Sequence, residues 1–139
     1  INHIYIMVQK EVGMRLVGKP NTKDYNALSV LMTYKTKSKV FAHVSRNSFF
    51  PAPNVDSVLL DIEVVKSDYK VNNEGDFLEF IQVIFMQRRK TLINNIVNHY
   101  SLSKDKLIDI LFNLGYKSDL RAEALSLEEI INIFKTIFE

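Results

Sequence analysis

The chain contains no cysteine. That excludes disulfides, thiolate metal sites and a cysteine nucleophile, and it fits a reducing cytoplasm. Glycine is scarce as well: Gly13, Gly18, Gly75 and Gly115 stand too far apart to build a glycine-rich loop around a phosphate or a dinucleotide. The three histidines, His3, His43 and His99, match no metal-ligand spacing and are expected at the surface or in packing. No apolar run approaches the roughly 20 residues that cross a bilayer. No basic stretch leads into an apolar one at the start, so a signal peptide is not expected. Spacing supports no Ser-His-Asp constellation. The residues by themselves offer no self-contained active site.

What is there is ordinary globular material: 139 residues, 47% apolar and 24% charged, enough for a real core. The charge is unevenly spread. Residues 1–60 carry eight Lys/Arg against three acids, a net of +5, whereas residues 61–139 carry ten against thirteen, a net of −3. A basic first half suits an anionic partner such as nucleic acid, and equally a solvated lysine-rich surface.

The opening run Ile4-Tyr5-Ile6-Met7-Val8 is almost continuously apolar, as in strands buried on both faces of a parallel sheet. Such a strand needs neighbours, and a parallel neighbour needs a crossover. With Ile1 in place of Met, the expectation is a chain that opens inside a domain whose first part lies upstream. Gln9–Val17 reads as a helix with Val12, Leu16 and Val17 on one side. Gly18-Lys19-Pro20-Asn21 reads as a loop. Asp24–Lys35 reads as a helix through Leu28, Leu31 and Tyr34, with a strand as the rival. Lys39–Ser45 alternates as a strand around Val40, Ala42 and Val44. The prolines of Phe49-Phe50-Pro51-Ala52-Pro53 force a loop, because they remove ladder donors and fix φ. Val55–Val65 returns to strand, with Val58, Leu60, Ile62 and Val64 in period two.

Lys66–Gly75 is polar and marks the boundary, and beyond it the period becomes helical. Phe77, Phe80, Ile81, Ile84 and Phe85 form one stripe, and Leu92, Ile93, Ile96 and Val97 another. Ser103 caps a helix of Leu107, Ile110, Leu111 and Leu114 that Gly115 ends. Ser126-Leu127-Glu128-Glu129 is a capping box, opening a last helix that buries Ile130, Ile133, Phe134 and Ile137. The fold class is therefore α/β: the end of an α/β domain over residues 1–66, then an all-helical domain over 67–139.

Three stretches carry more chemistry. In Asn47–Ser57, two adjacent aromatics sit on a proline-stiffened loop. A rigid loop can offer a ring to a nucleobase, a contact worth about 1–3 kcal/mol, but composition alone favours both rings plugging the core beneath. In Gln87–Leu92, Arg88, Arg89 and Lys90 follow an apolar helical stripe. They suit phosphate, or the carbonyls of a helix end, or ion pairs with neighbouring helices. In Met7–Arg15, charged residues follow a strand, where α/β sheets receive ligands at carboxyl ends; an exposed first helical turn accounts for them equally well.

These stretches, taken in order, resemble the ribosomal-RNA adenine dimethyltransferase family, and within it the bacterial small-subunit (16S) branch. The matching phrases are MVQKEV at Met7–Val12 with Arg15, KDYNALSV at Lys23–Val30, FFPAPNVDS at Phe49–Ser57, FMQRRKTLINN at Phe85–Asn95 and LRAEALSLEE at Leu120–Glu129. The resemblance implies the carboxyl-terminal part of a Rossmann-like methyltransferase sheet followed by a small helical domain that docks on RNA or the ribosome. It implies dimethylation of N6 of two adjacent adenosines near the 3′ end of 16S rRNA, with S-adenosylmethionine as methyl donor and the base drawn out of its stack. It implies that Phe49, opening the F-x-P-x-P pattern, stacks on the target base, which reverses the core-plug preference for that ring. The family's glycine-rich cofactor loop, ribose-holding acid and Asn-Leu-Pro-Tyr motif would lie upstream of Ile1. The chain alone is therefore expected to hold no cofactor site and to be inactive. Gly13 stands where alanine is common, and is expected to weaken its helix by about 0.5–1 kcal/mol.

Candidate phosphate contacts are Lys10, Arg15, Lys35, Lys37, Lys39, Arg46, Arg88, Arg89 and Lys90. The partner implied is 16S rRNA in the small subunit, in the cytoplasm, with no membrane. Three other functions remain open. One is a macrolide-resistance methyltransferase acting on 23S rRNA. The others are a non-catalytic RNA- or partner-binding module of the same fold and a helical protein-interaction domain.

Overall fold

The computed structural model describes residues 2–66 and 69–139. It divides into two compact units, Ile1–Tyr69 and Lys70–Glu139.

The first unit is a three-stranded sheet with two helices on one face. Its strands are β1 (His3–Gln9), β2 (Thr36–Val44) and β3 (Ser57–Val64), in the spatial order β1-β3-β2. β3 is antiparallel to both neighbours, with Ile6 opposite Leu60 on one side and Val40 opposite Leu60 on the other. The expected parallel pairing is therefore not the one observed among the described residues. The first strand is not buried on both faces either. Its apolar residues divide by strand parity: Ile6 and Val8 turn toward a cluster of Val58, Leu60 and Ile62, whereas Tyr5 and Met7 are more than half or half exposed. A bulge between Val40 and Ala42 adds Phe41 to the open face, where its ring meets the edge of Tyr5 at 5.8 Å.

The two helices are α1 (Lys10–Leu16) and α2 (Ala27–Lys35). α2 starts later than the leucine period suggests because Asn26 caps it. The Asn26 side-chain oxygen accepts from the Leu28 and Ser29 amides at 2.9 and 3.2 Å, and Ser29 Oγ accepts from the Asn26 amide. Its buried face is Ser29, Val30 and Tyr34, while Leu28 is exposed. The Ser29 hydroxyl donates to the Arg15 carbonyl and so ties α2 to α1. Val64, expected in the buried set of β3, is half exposed at the strand's end.

The second unit contains α3 (Glu74–Ile84), α4 (Leu92–Tyr100), α5 (Lys104–Asn113) and α6 (Leu127–Phe138). Each begins with a side-chain cap, from Asn73, Thr91, Ser103 and Ser126 respectively. The Ser126–Glu129 capping box is present in both directions, at 3.3 and 3.1 Å. Gly115 ends α5 at φ +91, a left-handed conformation that side chains resist. There the Tyr116 amide donates to Leu111 and the Gly115 amide to Phe112. The core is built on Phe77, Phe80 and Phe134, with Phe134 5.2 and 5.3 Å from the other two rings. Such pairs add about 0.5–1.5 kcal/mol beyond burial.

Candidate nucleic-acid interface

β1 and β2 run the same way, because both are antiparallel to β3. Their carboxyl ends, Gln9 and Val44, therefore lie at one edge of the sheet, together with Ser57 at the start of β3. α1 starts directly from β1 there. A loop of twelve residues, Ser45–Asp56, leaves β2 and returns to β3. Neither aromatic of that loop plugs the core: Phe50 is fully exposed and Phe49 is 38% exposed. The core-plug reading fails for a simple reason. The space beneath the sheet face is already filled by Ile6, Val8, Leu16, Val17, Met32 and Val40 around Val58, Leu60 and Ile62.

The loop is closed at its neck by Arg46. Its amide and Nε donate to Asp56 Oδ1 at 2.9 and 3.1 Å, and Nη1 donates to the Asn54 carbonyl at 2.7 Å. The Lys10 amide, first in α1, donates to the Asp56 carbonyl at 2.9 Å. These bonds from Arg46 hold the Asp56 carboxyl below its ordinary range, because they favour the charged form. Beside the neck lies a recess of about 650 Å³ lined by Gln9, Lys10, Glu11, Met14, Arg15, Lys23, Asp24, Arg46, Val55 and Asp56.

The nine basic residues singled out in the sequence fall into three groups. Lys10, Arg15 and Arg46 line the recess, Arg15 paired with Glu11 at 2.9 Å and Arg46 with Asp56. Lys35, Lys37 and Lys39 lie elsewhere. Lys35 ends α2 with its ammonium over the Tyr34 ring, and Lys37 and Lys39 stand opposite Glu63 and Asp61 in the register of β2 on β3. Six residues of chain separate Lys39 from Arg46, roughly 20 Å at the rise of a strand. In the second unit, Arg88, Arg89 and Lys90 occupy the turn between α3 and α4, Arg88 within 3.5 Å of Glu123. That turn is anchored from below by Asn95, which is 5% exposed and donates its amide to the Ile84 and Gln87 carbonyls, each at 3.2 Å.

Lys23, Asp56 and Asn95 belong to these sites but were not singled out as site residues. All three lie inside the family-like phrases. Their roles come from tertiary partners that local spacing does not reveal. Of the histidines, His3 pairs with Asp61 at 2.8 Å, which raises its pKa, and His99 with Glu79 at 3.0 Å. No group of acids and histidines among the described residues could hold a metal ion. No helix among them is long and apolar enough to cross a membrane.

A family model described as ribosomal RNA adenine dimethylase matches residues 1–139. The chain belongs to that family. Among curated members it is 37% identical to ribosomal RNA small subunit methyltransferase A of Oceanobacillus iheyensis, covering all of this chain and 48% of that protein. It is 39% identical to the protein of the same name from Clostridioides difficile, covering 98% of this chain and 48% of that one. The chain thus spans about half the length of the curated relatives it matches. Among solved structures, a dimethyladenosine transferase from Plasmodium falciparum superposes at TM-score 0.76 with 20% identity, over 96% of this chain and 56% of that one. A 23S rRNA methyltransferase, ErmE, superposes at 0.68 with 15% identity, over 100% of this chain and 56% of that one. The fold is that of Rossmann-like methyltransferases of this kind.

Membership of the family implies S-adenosylmethionine, and the residues described do not fit it. No glycine lies at a strand's carboxyl end to let backbone approach a ligand. The recess presents four cations against three carboxylates, two of them already paired with Arg15 and Arg46, a poor setting for a sulfonium cation.

Proposed function

We propose that this chain is the carboxyl-terminal, substrate-facing part of an S-adenosylmethionine-dependent enzyme that dimethylates N6 of two adjacent adenosines near the 3′ end of 16S rRNA. The intact protein would act during small-subunit assembly in the cytoplasm. In this reading the half of the relatives' length that this chain does not span supplies the cofactor, and this chain receives the RNA. The observation that carries it is the pair of exposed rings, Phe49 and Phe50, held on a closed loop at the carboxyl edge of the sheet. A solvent-facing ring beside cations suits an unstacked base and its phosphates. The small-subunit enzyme is favoured over the 23S enzyme because the relatives named above carry the small-subunit name.

Residues 1–66 would belong to the methyltransferase domain and residues 67–139 to the RNA- or ribosome-docking domain. Lys10 and Arg15 would meet phosphates near the target base, and Arg88, Arg89 and Lys90 would meet them on the helical unit; Arg46, beside them, is already committed to Asp56 and Asn54. Within the first unit, Lys35, Lys37 and Lys39 are less suited to the base itself than Lys10, Arg15 and Arg46, since they lie away from the loop.

The test is binding of this chain to an RNA hairpin copying the 3′ end of small-subunit rRNA, with 2-aminopurine in place of a target adenosine. Stacking on Phe49 should quench the fluorescence. Phe49→Ala should weaken binding about tenfold, as one lost base–ring stack implies, and affinity should fall steeply with salt. Unchanged quenching in Phe49→Ala would refute the base-stacking role. Micromolar binding of S-adenosylmethionine by the chain alone, seen by calorimetry, would refute the division of labour.

A further inference from the structure

We propose that Asp56 and Arg46 are positioning residues, a clasp that fixes the aromatic loop so that Phe49 meets the base in one orientation. The inference rests on the base-stacking reading above and deepens it. Residues 45–55 of the loop are all exposed, Phe50 fully and Phe49 at 38%, so no fully buried side chain anchors it, and a free twelve-residue loop samples many conformations. Order has to come from the polar neck, and the neck is built for it. Arg46 reaches two different residues of the returning limb at once: Asp56 through Nε and its own amide, Asn54 through Nη1. Asp56 in turn is tied by its carbonyl to the Lys10 amide at the start of α1. On the outgoing limb, Ser45 Oγ accepts from the Asn47 amide and starts a single 3₁₀ turn over Arg46–Ser48. Both limbs are therefore fixed to the rigid sheet edge within a few residues of Phe49.

The fork is the point of the design. A guanidinium presents several donors in one plane, and lysine at this position satisfies one of the two acceptors and not both. Arg46 was expected to meet phosphate; the geometry gives it an internal task. The charged groups facing Asp56 are Arg46 and Lys10, with Arg15, Glu11, Lys23 and Asp24 around the same recess.

The clasp makes a prediction opposite to simple electrostatics. Asp56→Asn removes a negative charge from a site meant for RNA, so charge alone predicts tighter binding. The clasp predicts weaker base stacking, because an amide oxygen holds the guanidinium less strongly. The experiment uses this chain with Asp56→Asn, Arg46→Ala, Arg46→Lys and Phe49→Ala. Loop order is read without RNA from backbone ¹⁵N heteronuclear NOEs of Ser48–Asn54, with the amides of the sheet as the folding control. Stacking is read by quenching of the 2-aminopurine hairpin. The expected result is lowered loop NOEs in the three clasp variants, unchanged sheet amides and about fivefold to tenfold weaker quenching. In the unsubstituted chain, loop order should also fade as acid protonates Asp56, at a pH below the ordinary carboxylate range, and Asp56→Asn should abolish that dependence. If Phe49→Ala abolishes quenching while Asp56→Asn and Arg46→Lys keep both loop order and quenching, the clasp is wrong and base stacking stands. If Phe49→Ala changes nothing, base stacking itself is wrong. Should Arg46→Ala disturb the sheet amides, Asp56→Asn and Arg46→Lys decide the matter.

Discussion

Placing alanine at Gly13 sets helix propensity against packing, and the structure indicates which should win. On propensity alone, alanine in place of a mid-helix glycine stabilises by about 1 kcal/mol. But Gly13 is buried where α1 crosses the sheet, and a Cβ there would lie 2.3 Å from Val58 Cγ2 and 3.2 Å from Val8 Cγ2. Val58 is fully buried and β-branched, so it has no easy rotamer to retreat into. Overpacking of this kind costs about 1–3 kcal/mol, which leaves Gly13→Ala roughly 1 kcal/mol less stable than the parent. Val58→Ala alone empties two methyl groups from the core at about 2 kcal/mol. In the double variant the new methyl enters that space, the 2.3 Å clash is gone with only the 3.2 Å approach to Val8 Cγ2 left, and the propensity gain remains. The pair should then lie only about 1 kcal/mol below the parent instead of the roughly 3 that additivity gives. Urea unfolding is best followed on the amide resonances of β1 and β3, because the two compact units need not unfold together. A stabilised Gly13→Ala, or strict additivity in the double variant, would show that α1 does not depend on glycine for its approach.

Two further outcomes are expected in the helical unit. Asn95→Ala strips donors from the Ile84 and Gln87 carbonyls and should cost about 2–3 kcal/mol. It should also raise amide exchange in residues 86–91, and a neutral effect on both would remove Asn95 as the anchor of the basic turn. Tyr116 donates to Glu129 at 2.7 Å. Burial, reinforced by Glu129, pushes the Tyr116 hydroxyl up to about 12, while the Tyr116 and Ser126 donors lower the Glu129 carboxyl. Stability from Glu129 is therefore present above its unfolded pKa and lost as pH falls through the lower folded one. Stability from Tyr116 is present below about 10 and lost as pH rises toward 12. Tyr116→Phe should reduce the alkaline loss, of which Tyr100, also pushed up to about 12 by burial, keeps a share, and should move the acid loss upward in thermal melts from pH 2 to 12. Melts in which neither limb changes would contradict the coupling.

The helical unit was the more legible half. Its caps and stripes are local, and Ser103, Gly115 and the Ser126–Glu129 box do in space what their spacing suggests. The sheet was harder, because an apolar run such as Ile4–Val8 does not say which residues meet a helix and which stay open. Strand order and the antiparallel setting of β3 are long-range facts that no window of sequence contains. Gly13 looked like a weakness of its helix; only the distance to Val58 shows it as a close approach. The rings at Phe49 and Phe50 were ambiguous for the same reason, since their exposure depends on a core already filled by residues far away in the chain. The basic residues were visible singly, but their division into three groups, and the internal use of Arg46, follow from partners at Asp56 and Asn54.

The most direct test of the account is to map where a target base touches this chain. An RNA hairpin carrying 8-azidoadenosine at a target position, irradiated with the chain and analysed by peptide mass spectrometry, should place its adducts on Phe49 or Phe50. Adducts confined to the open sheet face around Lys37 and Lys39, or to the turn at Arg88–Lys90, would contradict the claim that this loop receives the base.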